Sequence, residues 1–129
     1  MPFVCIDLHE RKSKEDLVLI SRAVHQSMVD TIDIPEEDYF QTITTHAVGE
    51  LLYDRKYMNI ARSDQQIFIR ITMKEGRTTQ QKKALYARIA ELLEKNAGIR
   101  PQDVMIILTE NVQENWSFGN GIAQLADEE

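Results

Sequence analysis

With 129 residues, 43% hydrophobic and 28% charged, the chain is long enough to bury one substantial core and too short to require a second domain. A formal net charge of -6, with lysines and arginines dispersed along the chain, excludes a general affinity for nucleic-acid backbone or anionic membrane. The longest apolar runs, such as residues 104–108, fall far short of a bilayer span, and neither a secretory signal pattern nor a cysteine pair is present, so a cytoplasmic domain is expected. The single Cys5 reads as a small strand hydrophobe rather than a nucleophile.

Pro2 follows the initiator methionine, and removal of Met1 would leave it a free secondary amine at the head of a strand. Residues 3–8 alternate, with Val4, Ile6 and Leu8 on one face and Phe3, Cys5 and Asp7 on the other. A charged turn over residues 9–14 follows. Ser13 with Asp16 makes a capping box, and Leu17, Ile20, Val24, Met28 and Ile32 form the apolar stripe of a helix that Pro35 ends. Residues 39–46, rich in threonine and aromatics, predict a second strand. Residues 47–66 read as a connector with one short helical turn or hairpin.

The third strand is clear from Ile67, Ile69, Ile71 and Met73 alternating with Phe68, Arg70, Thr72 and Lys74, and Gly76 breaks it. Thr78 with Gln81 caps a second helix, whose stripe is Leu85, Ile89, Leu92 and Leu93 and whose end falls at residues 96–98. Residues 104–109 give a fourth strand. The segment 115–125 carries Trp116, Phe118, Gly119 and Gly121, and the acidic end 127–129 is expected to be a solvated tail.

The two halves repeat at a displacement of 65 to 66 residues: Lys12 matches Arg77, Ser13 matches Thr78, Ile20 matches Leu85 and, one residue later, Pro35 matches Pro101. The repeat covers about 2–46 and 67–110 within one domain, 1–129. Each half is a strand, helix, strand unit whose strands should lie parallel across a right-handed crossover. The expected fold class is α+β: two fused β-α-β units forming a four-stranded sheet with two helices on one face, plus a C-terminal hairpin or tail. Periodicity leaves a ferredoxin-like strand order open beside it. The uncovered sheet face, with Phe3, Cys5 and Phe68, is too apolar for water and is expected to pack on other copies of the chain.

The Met-Pro start, the doubled β-α-β unit, Gly76-Arg77-Thr78 at the second helix and the run Trp116-Ser117-Phe118-Gly119-Asn120-Gly121 together resemble the tautomerase superfamily. Within it they are most similar to the malonate semialdehyde decarboxylase subgroup of bacterial tautomerase-like proteins, from Pro2 to about Leu125. The resemblance implies the tautomerase strand order, homotrimers, no cofactor and no metal, and a small carboxylate substrate. It also aligns Asp38 with an aspartate that works beside the proline, activating water or orienting substrate. One position departs: where that subgroup has a second arginine, two residues before the one matched by Arg77, this chain has Glu75.

The chemistry these residues suggest is proton transfer. A prolyl amine is a base at neutral pH only when burial and nearby cations disfavour its ammonium form. Arg77 is the expected cation and carboxylate clamp, with Trp116 and Phe118 as the desolvating wall. Their ordinary alternatives are a solvated charge in a helix's first turn for Arg77, core or interface packing for the aromatics, and a turn carboxylate for Asp38. Glu75 opposes a substrate carboxylate unless Lys74 replaces the missing charge, which weighs against decarboxylation and less against tautomerisation. The expected activity is therefore an enol-keto tautomerase, an isomerase, acting on a small 2-oxo or enol acid. Two rivals stand beside it: a decarboxylase or hydratase with Pro2 as general acid, and a non-catalytic trimeric protein of the same fold. The three histidines have no metal-ligand spacing.

Overall fold

Six regular elements follow one another as β1 (Pro2–His9), α1 (Lys14–Ile32), β2 (Gln41–His46), β3 (Ile67–Lys74), α2 (Thr79–Ala97) and β4 (Val104–Asn111). They belong to a computed structural model that describes residues 1–10 and 12–126; Arg11 of the expected charged turn and the expected acidic tail 127–129 lie outside the described residues. Both helices start as their sequences require. Ser13 accepts from the Asp16 amide and Thr78 from the Gln81 amide, each returned by the second side chain of a capping box, so donors that a helix start leaves unpaired are satisfied.

The sheet order is β2-β1-β3-β4, with β1 parallel to β2, β3 parallel to β4, and β1 antiparallel to β3. The two strands of each β-α-β unit are hydrogen-bonded neighbours, which is the tautomerase arrangement; in the split ferredoxin-like alternative they would be separated. The helices cover one face. Val4, Ile6, Ile67, Ile69, Ile71 and Met73 meet Ile20, Val24, Met28, Leu85, Ile89 and Leu93 there, all nearly or wholly buried. Each such side chain contributes about 2 kcal/mol of transfer free energy.

The repeat holds at 65 residues past the helices as well, and the extra residue suggested by the two prolines is absent. The left-handed helix caps are Asp33 and Gly98, the next buried residues are Ile34 and Ile99, and then Asp38 N–H donates to Pro35 O as Asp103 N–H donates to Arg100 O. Pro35 thus corresponds to Arg100, and Pro101 sits one place further on. The strand register agrees, since Val4 faces Gln41 and Ile69 faces Ile106. Beyond the sheet the agreement continues, with Glu50 N–H donating to Ala47 O as Asn115 N–H donates to Val112 O.

Two boundaries differ from expectation. β2 begins at Gln41 rather than Tyr39, because residues 35–40 form a turn that first closes on Pro35 O and Glu37 O. β4 runs on to Asn111, since its pairing with β3 extends to Lys74. The connector holds the single helical turn expected of it, at Tyr57–Asn59, and Gly119 bridges to Ile122 in a small C-terminal hairpin.

Candidate active site

Because β1 and β3 are antiparallel and Pro2 lies opposite Met73, the start of β1 and the end of β3 share one end of the sheet. Six of the candidate residues line two cavities there, and the seventh, Asp38, meets the chain's first residue. Pro2 is buried and, with Phe3, Phe40, Trp116, Ser117 and Phe118, lines a cavity of about 190 Å³. Lys74, Glu75 and Arg77 line a second cavity of about 320 Å³, together with Ile32, Asp33 and Gln81.

The aromatic wall is built by its own stacking and by one polar tether. Trp116 and Phe118 stack with centroids 5.7 Å apart and planes 15° apart, and Phe40 approaches Phe118 at 6.5 Å. The indole Nε1–H donates to Asn111 Oδ1 at 2.6 Å, which fixes the ring to the end of β4. Gln124 closes the hairpin behind it, accepting from Phe118 N–H and donating to Gly119 O, each at 2.9 Å.

Arg77 is half-buried and is held by backbone oxygens rather than by an acid: Nη1–H donates to Lys74 O at 3.0 Å and Nη2–H to Ile32 O at 3.5 Å. Ile32 is the last residue of α1, so the guanidinium sits at the negative end of that helix. The unfavourable position at the start of α2 is thereby offset by the neighbouring helix. Gly76, with φ of 121°, allows the sharp turn from β3 that places Arg77 there, a conformation a side chain would strain.

Asp38 Oδ2 accepts from the Met1 ammonium at 2.6 Å, and both partners are largely buried. With Met1 attached, the Pro2 nitrogen is an amide and carries no proton to exchange. Among the described residues, no hydrogen bond or ion pair joins Arg77 to Asp38 or to the aromatic wall.

Reasoning from sequence missed Phe40, Asn111 and the bracket that carries Asp38. Tyr39 stacks on His25 at 4.6 Å and 17°, lies 5.3 Å from the Arg22 guanidinium carbon, and hydrogen-bonds through its hydroxyl to Ser21. Ser21 also donates to Gln41 Oε1 at 2.8 Å, and His25 Nε2–H donates to Glu36 O at 2.8 Å. The matching residues in the second half are Ala87, Ala90 and Val104, so only the half that carries Asp38 has this bracket. A polar, non-periodic set on one turn of an otherwise apolar helix was the available signal. Tyr39→Phe, which keeps the stack, is expected to cost about 1 kcal/mol in denaturant unfolding, and Tyr39→Ala about 3 kcal/mol.

Among the described residues no helix is long and apolar enough to cross a membrane, and no group of three or more His, Cys, Asp or Glu could hold a metal ion.

Comparison with known proteins agrees with this geometry along the whole chain. A family model described as tautomerase enzyme matches residues 38–119, and a second of the same description matches residues 2–52. The probable tautomerase YusQ of Bacillus subtilis is 46% identical over 127 residues, covering 98% of this chain and 100% of the relative. The crystal structure of a malonate semialdehyde decarboxylase, studied for decarboxylase and hydratase activities, superposes with a TM-score of 0.92 at 28% identity, covering 98% of this chain and 97% of that one. A fused 4-OT symmetric trimer shares the fold at a TM-score of 0.79 and 15% identity, covering 96% of this chain and 98% of that one. A doubled β-α-β sheet, a family match spanning most of the chain and a relative alike over its full length lead to one conclusion: this chain belongs to the tautomerase family.

Proposed function

We propose that the protein, once Met1 is removed, is a tautomerase in which the Pro2 amine moves a proton between the hydroxyl oxygen of an enol and the carbon next to the carbonyl of the corresponding small 2-oxo acid. The observation that carries this reading is the placement of buried Pro2 on an aromatic cavity, with Lys74 and Arg77 at the same end of the sheet. An amine in an apolar cavity near cations is kept partly neutral, and a neutral amine is a base. Arg77 binds the substrate carboxylate or the developing enolate oxygen, and its backbone tethers hold the guanidinium in place before substrate arrives. Lys74 adds charge beside it, while Glu75 limits the site to substrates with one carboxylate near Arg77. Trp116 and Phe118 exclude water from the reacting carbon.

A second reading is favoured by Asp38. Its carboxylate meets the chain's terminal ammonium in the unprocessed protein, one residue before Pro2, and removal of Met1 would leave it to pair with the new terminal amine. An anion there stabilises the protonated amine and turns Pro2 into a general acid, the state suited to decarboxylation or hydration of a 3-oxo or acetylenic acid; the structural likeness to malonate semialdehyde decarboxylase points the same way. Processed protein offered phenylenolpyruvate and 2-hydroxymuconate separates the two by its pH-rate profile. Activity rising with pH through the amine's ionisation supports the base; activity falling supports the acid and overturns Pro2 as the base, and turnover of a 3-oxo acid in place of the enols overturns the tautomerase reading. Absence of turnover with every enol and 3-oxo acid offered would leave the non-catalytic protein.

We also infer a homotrimer. Phe3, Met105 and Ile107 are exposed on the open sheet face, an apolar surface that a second copy would cover, and the fused 4-OT of the same fold is a trimer. A monomer in sedimentation at micromolar concentration overturns this.

A further inference from the structure

The 65-residue repeat carries one end of the sheet onto the other. The residues at the Pro2 end have counterparts around the start of β3, where a cavity of about 330 Å³ is lined by His9, Leu51, Leu52, Tyr53 and Arg55 together with Asp64. The binding parts are kept in kind. His9 stands where Lys74 stands, Lys12 where Arg77 stands, and Leu51 and Tyr53 where Trp116 and Phe118 stand. Tyr53 packs edge-on against Phe68 with centroids 6.1 Å apart, and Phe68 is itself the counterpart of Phe3.

The reacting parts are not kept. Ile67 occupies the place of Pro2, and its nitrogen is a peptide amide inside β3. Asp103 occupies the place of Asp38, but it is wholly buried and consumed by Ser63, whose N–H and Oγ–H donate to it at 2.7 and 2.6 Å, and by Arg100 at 3.2 Å. At these two equivalent positions, neither a free amine nor an unpaired carboxylate remains.

We infer that this opposite end is a second, non-reacting binding site for a small carboxylate with an apolar or aromatic tail. The carboxylate meets His9 and Arg55 at the rim. Arg55 spends Nη2 on Asp64 at 2.6 Å, and the rest of its fork is available to a second acceptor. Its guanidinium carbon lies 5.0 Å from the Tyr53 ring centre, so the charge stands over the surface on which the tail would lie. Burial pushes the Tyr53 hydroxyl above its ordinary range, and that hydroxyl donates to Ser63 O at 2.7 Å, so it brings no negative charge against an anion. The apolar wall is Leu51 and Leu52.

The ligand class rests on the function proposed above; the cavity and its lining do not. The test is an amide-resolved NMR titration of the processed, full-length protein with phenylpyruvate, the keto product of the enol probe. Two separable sets of perturbed amides are expected, one about Phe3 and Phe118 and one about Leu52 and Tyr53. Arg55→Ala and His9→Ala should each weaken the second set about tenfold and leave the first, and the turnover of phenylenolpyruvate, unchanged. A response confined to the Phe3 and Phe118 set overturns the inference alone, as does a Leu52 and Tyr53 set that neither substitution weakens. A response confined to the Tyr53 end supports it and counts against the Pro2 reading. Silence at both ends overturns both.

Discussion

Processed protein carrying Pro2→Ala should lose about 10²- to 10⁴-fold in kcat on an enol-keto substrate, because a primary alanyl amine differs from the prolyl amine in basicity and is no longer held by a ring. Intact-mass measurement must first establish that Met1 is gone in both parent and variant. Arg77→Ala should lower kcat/KM about 10- to 100-fold, the loss of a charge-assisted clamp. If the arginine acts only on the bound ground state, KM carries the change; if it also holds the enolate oxygen, kcat falls with it. Arg77→Lys keeps the charge without the fork and should recover only part of the loss. Because Arg77 also ties Lys74 O to the end of α1, thermal unfolding of each variant is the control. Parent-like rates in both Pro2→Ala and Arg77→Ala would end the mechanism.

A loss of stability as large as that of Tyr39→Ala is expected at Asp103. Its carboxylate receives the Ser63 amide and hydroxyl and the Arg100 guanidinium, and it joins the connector between the two units to the turn before β4. Arg100 also donates to Ala61 O at 2.8 Å, so the same staple holds the connector twice. Asp103→Ala leaves the Ser63 donors without their acceptor and should cost about 3 kcal/mol in denaturant unfolding. Burial by itself would raise the Asp103 carboxyl, but the hydrogen bonds from Arg100 and Ser63 outweigh it and hold the group below the ordinary aspartate range. A carboxyl lowered by folding stabilises the protein above its unfolded value. That contribution is lost as pH falls below about 4 and through the lower folded value. The parent should therefore weaken more steeply over that range than Asp103→Ala does, as read from unfolding midpoints at a series of pH values.

Asp38 and Asp103 occupy equivalent places in the two units, yet their carboxylates have different partners. The first sits beside the chain's start and its partner there is removable; the second is stapled by a serine and an arginine that the first half lacks. The two equivalent positions are therefore held by different polar partners.

Period-two and period-three-to-four patterns were enough to read six elements, both capping boxes and the inward faces of β1 and β3, because each depends on neighbours within a few residues. The chain's own repeat pointed to two β-α-β units, and Pro2, Arg77 and the Trp116-Ser117-Phe118 run marked the candidate site. Phe40 and the Tyr39 bracket were out of reach, since their value comes from α1 side chains eighteen residues away in sequence or from a hairpin at the other end of the chain.

The elements and the doubling were legible in the sequence because local hydrogen bonding and burial periodicity are written residue by residue, and the family was legible as a resemblance carried by Pro2, Gly76-Arg77-Thr78 and the run from Trp116 to Gly121. Only the tertiary structure decided that β1 lies antiparallel to β3, and with it that Pro2 and Arg77 share an end of the sheet. It also decided that Arg77 is held by backbone oxygens rather than by an acid, and that Asp103 is bound by Ser63 and Arg100 while Asp38 meets the Met1 ammonium. Those outcomes depend on which distant groups meet first and satisfy one another, a competition that no local pattern records.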